Sequence, residues 1–173
     1  MALRGSAARD WATEVLATRH DRTSFSSGIP ELDAYLRQQA RQDMRRRSAV
    51  PYVLCEADTV VGYYTISSDS ADLGSLPEET ARRLPRYPRV PAILIGRLAI
   101  DERHRGRGLG RVLLADALRR ACDVSESIGA AMVVVEAKND AATAFYRHYG
   151  FQPFPDHPHH LFLSMHVVAQ MEE

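Results

Sequence analysis

Lysine is almost missing from this chain: Lys138 stands alone, and every other basic residue among the 22 is arginine. Cysteine is nearly as scarce. Cys55 and Cys122 are too few for a disulfide framework and too far apart for a CxxC motif, so buried, reduced thiols in a cytoplasmic protein are expected. No run approaches the roughly 20 apolar residues that cross a bilayer, so no membrane association is expected. Met1-Ala2-Leu3-Arg4-Gly5 carries no apolar signal core, and export is not expected either. Net charge is absent, with 22 basic residues against 22 acidic ones, which argues against a protein that coats nucleic acid non-specifically. Repeats, low-complexity tracts and Gly/Ser-rich linkers are absent as well, which leaves a single domain over residues 1–173.

What is present is an ordinary globular composition, 45% apolar and 25% charged, over enough chain to bury a core. Residues 11–16 fit either a first strand or a short helix. Pro30 opens a helical segment with Leu32, Tyr35, Leu36 and Ala40 on one face. Arg37, Arg41 and Arg45 lie on the other face, followed by Arg46 and Arg47. Residues 51–56 and 59–67 read as a hairpin turning at Ala57-Asp58. Ser75-Leu76-Pro77-Glu78 has the form of a capping box ahead of a short helix that ends before Pro85. Residues 92–100 form a buried strand, 108–127 an amphipathic helix stopped near Gly129, and 131–137 a second buried strand. A helix over 139–149 stopped by Gly150, then strands at 151–154 and 161–167, complete an α/β chain with a mixed sheet. Asp156-His157-Pro158-His159-His160 falls between the last two strands and reads as a proline-broken surface loop, without the spacing of a zinc site.

The chemically informative stretch runs from strand to helix: Leu98-Ala99-Ile100-Asp101-Glu102-Arg103-His104-Arg105-Gly106-Arg107-Gly108-Leu109-Gly110. Glycines let backbone amides approach a phosphate closely, and the helix that follows adds its unpaired amides and positive dipole end. Arg105, Arg107 and Arg111 add formal charge. A plain glycine turn with solvated arginines fits the same letters. The spacing is GxGxG rather than the GxGxxG of a dinucleotide fold, and no Gly-Lys-Ser/Thr of a P-loop is present.

Arg105-Gly106-Arg107-Gly108-Leu109-Gly110 resembles the acetyl-coenzyme A signature of the GNAT N-acetyltransferases, Gln/Arg-x-x-Gly-x-Gly/Ala. A second block, Asn139-Asp140-Ala141-Ala142-Thr143-Ala144-Phe145-Tyr146-Arg147-His148-Tyr149-Gly150-Phe151, resembles the later motif of that superfamily. The likeness covers residues 50–167. It implies the GNAT fold: a mixed, mostly antiparallel sheet flanked by helices, with a splayed central pair of parallel strands. It also implies direct transfer in a ternary complex. The backbone of Leu98, Ala99 and Ile100 would align the pantetheine arm, and the amides from Arg105 to Gly110 would hold the pyrophosphate. Asn139 caps its helix in any reading and would bond the cofactor in this one. Tyr146 fits a core tyrosine, but its place in the motif favours proton donation to the departing thiolate, a task that suits a phenol of pKa near 10. Glu136 and His148 are the nearest general-base candidates, and neither is assigned.

Further stretches resemble one branch, the toxins of toxin–antitoxin modules that acetylate aminoacyl-tRNA. They are His20-Asp21-Arg22, Phe25-Ser26-Ser27-Gly28-Ile29-Pro30-Glu31-Leu32-Asp33-Ala34-Tyr35-Leu36, Tyr63-Tyr64, Leu84-Pro85-Arg86-Tyr87-Pro88 and Ile95-Gly96-Arg97-Leu98-Ala99. Many members of the branch have Cys-Gly where Ser27-Gly28 stands. The resemblance implies a basic path for acceptor-stem phosphates, with Arg37, Arg41, Arg45, Arg46, Arg47, Arg86 and Arg97 as its candidates. It further implies a ribbon–helix–helix antitoxin and a homodimer. A GNAT enzyme acting on a small amine or a protein N-terminus, and a catalytically idle acetyl-coenzyme A module, are the alternatives.

Overall fold

The structure, a computed structural model, describes residues 11–173, so Met1–Gly5, where no signal core is expected, lie outside the described residues. Residues 11–16 resolve as a strand, β1 (Thr13–Val15). It pairs antiparallel with β2 (Val50–Glu56), and β2 pairs antiparallel with β3 (Thr59–Asp72) from Val50↔Ile66 to Glu56↔Thr59. The hairpin turns through Ala57, which takes the left-handed φ of 52°. The remaining strands are β4 (Arg89–Ile100), β5 (Met132–Glu136), β6 (Gln152–Phe154) and β7 (His157–Ser164). β4 and β5 form the parallel pair; β5 with β7 and β7 with β6 are antiparallel. The β4–β5 ladder ends at Ile95↔Val135, while β4 itself continues to Ile100.

The chain divides into two compact units, Met1–Ser67 with Gly96–Ala117 and Ser68–Ile95 with Leu118–Glu173. Strand order in the first is β1-β2-β3-β4 and in the second β3-β4-β5-β7-β6, because β3 and β4 run through both. The core of the first unit gathers Leu16, Phe25, Leu32, Tyr35, Leu36, Val53, Val60 and Tyr63. That of the second gathers Val90, Ala92, Met132, Val134, Phe154 and Phe162. Each fully buried side chain of this size contributes about 1.5–3 kcal/mol.

Pro30 does start a helix, but it is not continuous. α1 (Pro30–Ala34) passes into a π-helical turn, Tyr35–Gln39, and then α2 (Ala40–Arg45). The apolar face is as read, with Leu32, Tyr35, Leu36 and Ala40 all buried. Ser75 sits in a 3-10 turn, and α3 (Glu78–Arg82) starts after Pro77 with no side-chain cap, so the capping box does not form. α4 (Leu109–Ser127) and α5 (Asp140–His148) follow the reading. Two readings are corrected at the C-terminal end. His157, His159 and His160 lie in β7 rather than in a loop, because β6 and β7 turn tightly at Phe154↔His157. Residues 165–167 open a helix, α6 (Met165–Met171), which buries Met165 and Val168 one turn apart. Cys55 and Cys122 are free and half-buried, and burial pushes the Cys55 thiol up to about 11.

Candidate functional site

The site begins where β4 ends. Asp101 is fully buried and caps the 3-10 turn Glu102–His104. Its carboxylate accepts from the Arg103 backbone amide (3.0 Å), from Arg103 Nε and Nη2 (2.9 Å each) and from the Ser26 amide (3.1 Å). The Arg103 guanidinium and these donors hold the carboxyl well below the usual carboxylate range against the cost of burial. Gly106 and Gly108 follow with φ of 80° and 72°, in the left-handed region that favours glycine. No heavy atom lies within 4 Å of a Cβ built on either, so conformation and not space requires glycine here. The Val112 amide makes the first helical bond, to the Gly108 carbonyl (3.2 Å). The amides just ahead of it therefore have no helical acceptor, and they sit at the positive end of the α4 dipole. An open loop lined with such amides fits an anionic diphosphate.

The two arginines of the loop have different fates. Arg105 does not extend outward: its Nη2 donates to the Ser27 carbonyl at 2.5 Å. Arg107 donates to Glu56 at the β2–β3 turn (3.3 Å). Arg111 opens α4 and has a partner of its own. Upstream, Leu98 and Ile100 are half-buried and Ala99 is buried. β3 approaches this strand closely because residue 62 is glycine: a Cβ there would stand 2.9 Å from Ile100 Cδ1 and 3.1 Å from Leu113 Cδ1.

Arg105 is one of several ties between the loop and residues 24–28. The Glu102 amide donates to the Ser26 carbonyl (2.8 Å), and Arg103 Nη2 donates to the Ser24 carbonyl (2.9 Å). Ser27 donates through both its amide (2.8 Å) and its hydroxyl (2.7 Å) to buried Asp33 of α1. Gly28, at φ 87°, packs so tightly that a Cβ would lie 2.7 Å from Glu102 Oε1 and 3.0 Å from Arg105 Nη2. This clamp escapes sequence reasoning, apart from the Ser-Ser-Gly letters, because its partners lie more than 70 positions apart.

The arginines predicted for a phosphate path divide between the units. On the π turn and α2, Arg37 and Arg45 are exposed and Arg41 is half-buried with its Nε unbonded, while Arg46 and Arg47 are exposed in the turn that follows α2. Arg37 donates to the Phe25 carbonyl (2.6 Å), and Arg22 to the Leu36 carbonyl in the π turn (2.8 Å). Arg97 joins this group: its guanidinium lies 3.5 Å over the Tyr35 ring, and the Tyr35 hydroxyl donates to Asp43 (2.8 Å). Arg86 is exposed and belongs to the second unit.

The second unit carries α5. Asn139 is its cap, accepting from the Ala142 amide at 2.8 Å. Two turns on, the Tyr146 ring is buried edge-on to Phe145 and Phe151, with centroids 5.3 and 5.4 Å away. Burial pushes its phenol above the ordinary tyrosine range. Glu136 and His148 are exposed, and among the described residues no bond joins either to Tyr146. His159 Nδ1 faces Thr143 Oγ1 at 2.8 Å, and Phe154 stacks near His160. Among the described residues no group of three or more His, Cys, Asp or Glu side chains is placed to hold a metal ion.

A model of the acetyltransferase (GNAT) family matches residues 14–151. A tRNA-acetylating toxin of Mycobacterium tuberculosis is 42% identical over 145 residues, covering 84% of this chain and 86% of that protein. A probable toxin TacT of Sinorhizobium fredii is 35% identical over 162 residues, covering 88% and 90%. Among solved structures, AtaT complexed with acetyl-methionyl-tRNAfMet is similar at a TM-score of 0.87 and 27% identity, over 95% of this chain and 100% of that one. AtaTR bound with acetyl-coenzyme A (TM-score 0.82) and mutant AtaT bound to the C-terminus of the antitoxin AtaR (TM-score 0.80) are similar at 27% and 26% identity, each over 94–95% of this chain and 98–99% of the other. The chain belongs to the GNAT family of acetyltransferases.

Proposed function

We propose that this protein transfers the acetyl group of acetyl-coenzyme A to the amino group of aminoacyl-tRNA and so stalls translation. The observation that carries the reading is the continuity of the first unit. A loop built to hold a diphosphate is tied through Arg105 to residues 24–28, which lead directly into the arginine-bearing helical segment. Relatives named as a tRNA-acetylating toxin and a probable toxin support the same substrate class.

In this reading the backbone of Leu98, Ala99 and Ile100 aligns the pantetheine arm, and of the amides expected from Arg105 to Gly110 those from Gly106 onward hold the pyrophosphate, since the Arg105 amide already donates to the Glu102 carbonyl (3.3 Å). Arg107 and Arg111 supply charge there. Arg105 acts through its bond to Ser27 rather than through a phosphate. Asn139 presents its side-chain amide to the cofactor while its oxygen caps α5. The neutral amine attacks the thioester carbonyl, the C–S bond breaks, Tyr146 protonates the departing sulfur, and the proton lost by the acetylated nitrogen restores the phenol through solvent. An α-amino group titrates near 8, so a neutral fraction is available without a strong base, and Glu136 and His148 need no role. Arg37, Arg41, Arg45, Arg46, Arg47, Arg86 and Arg97 take the acceptor-stem phosphates.

The whole chain acts as one catalytic domain in the cytoplasm, where charged tRNA is found, and no described helix is long and apolar enough to cross a membrane. An antitoxin with a ribbon–helix–helix part is its partner, and the active form is a homodimer. The test uses labelled acetyl-coenzyme A with total tRNA, charged in one tube and stripped of amino acids in the other. Label on charged tRNA alone is the expected result. Label on neither, with acetyl-coenzyme A still bound, moves the substrate to small amines or protein N-termini.

A further inference from the structure

Glu56 belongs to neither predicted motif, yet its contacts include His104 and Arg107 of the glycine loop. Oε2 lies 3.2 Å from His104 Nε2, and Oε1 accepts from Arg107 Nη1 at 3.3 Å. The two contacts differ in setting. The His104 side chain is 14% exposed, whereas that of Arg107 is 54% exposed. His104 also faces Asp101, with Nδ1 3.7 Å from Oδ1, beyond hydrogen-bond distance, so the Glu56 contact is the hydrogen bond that holds the ring. The first contact is fixed within the fold, and the second lies in solvent, where an ion pair contributes little and exchanges readily.

From this geometry we infer that Glu56 sets the affinity for acetyl-coenzyme A by competing with its pyrophosphate for the Arg107 guanidinium. The inference rests on the reading that the loop from Gly106 to Gly110 holds the pyrophosphate. A guanidinium prefers a bidentate phosphate to a single carboxylate oxygen at 3.3 Å, so cofactor binding shifts Arg107 from one anion to the other. Glu56 stays satisfied by His104 throughout, which keeps the hairpin turn attached to the loop. It also leaves a negative charge near the incoming diphosphate. Both effects weaken cofactor binding and speed release of coenzyme A.

Glu56→Gln tests this, because glutamine keeps the size and can still bond His104. Coenzyme A and pantetheine, which lacks the pyrophosphate, are titrated into wild type, Glu56→Gln, Arg107→Gln and the double variant. The expected result is coenzyme A binding tighter by about fivefold in Glu56→Gln, shrinking at high salt, with pantetheine unchanged. In the Arg107→Gln background most of that gain disappears. Weaker coenzyme A binding in Glu56→Gln overturns the inference, since Glu56 would then only preorganise the loop. An equal change for pantetheine overturns it too. If wild type shows no preference for coenzyme A over pantetheine, the loop reading itself fails, and that outcome is separate from the failure of Glu56.

Discussion

Tyr146 sits edge-on to two aromatic rings, and the burial that raises its pKa keeps the phenol protonated wherever the protein is folded and active. Removing only the hydroxyl therefore tests its role as a proton donor cleanly. Tyr146→Phe is expected to lower kcat by roughly 10²–10³-fold with the KM for acetyl-coenzyme A nearly unchanged, as measured by initial rates. The sign of the pKa shift also fixes the pH profile. The acid form is lost only above the ordinary tyrosine value near 10, while the amine gains its reactive neutral form as pH rises through about 8. The kcat/KM profile thus climbs between pH 7 and 9 and shows no falling limb below pH 10; a fall within that range would remove Tyr146 as the acid. Asp101 gives the opposite sign. Its folded-state pKa is depressed, so its contribution to stability is present above the ordinary carboxylate range and is lost as pH falls through the folded value. Asp101→Ala, which leaves its buried donors without an acceptor, is expected to cost about 3 kcal/mol in urea denaturation.

At the scale of elements, the clamp between the loop after β4 and residues 24–28 has a single most sensitive point, Gly28. A Cβ there meets Glu102 and Arg105 in a backbone conformation that already disfavours it. Gly28→Ala is expected to destabilise the protein by about 1–2 kcal/mol from the backbone alone and to raise the KM values for acetyl-coenzyme A and aminoacyl-tRNA together. A rise in only one KM would show that the two halves of the clamp act independently. The helical segment makes the contrasting case. Changing Arg45, Arg46 and Arg47 to glutamine should raise the KM for tRNA by about tenfold or more, flatten its salt dependence, and leave acetyl-coenzyme A unaffected. These elements were unequally legible. The Gly106–Gly108 turn could be read directly, since its need for glycine is local and conformational. The helix faces around Leu36 and Val112 followed from spacing. The clamp could not be read, because Asp101, Arg103 and Arg105 find partners far away in sequence. The π turn was also hidden: the apolar face stays in phase on both sides of it. Residues 165–168, Met-His-Val-Val, suit a strand by composition, and the burial of Met165 with Val168 one turn apart marks a helix instead.

Taken as a whole, the molecule is neutral yet is read as handling two polyanions. That balance is workable because nine of its 21 arginines fall between Arg37 and Arg47 or between Arg103 and Arg111, while its carboxylates answer some of them within the fold, as Asp101 does Arg103 and Glu56 does Arg107. Neutrality limits non-specific attraction to RNA. The most direct test is therefore chemical identification of the product. Charged tRNA treated with the protein and acetyl-coenzyme A is digested to nucleosides, and the 3′-terminal adenosine is analysed by mass spectrometry. The prediction is adenosine carrying an N-acetylated amino acid, formed by wild type and lost in Tyr146→Phe. Acetyl groups found on internal bases, or on no nucleoside while the protein still consumes acetyl-coenzyme A, would contradict acetylation of aminoacyl-tRNA.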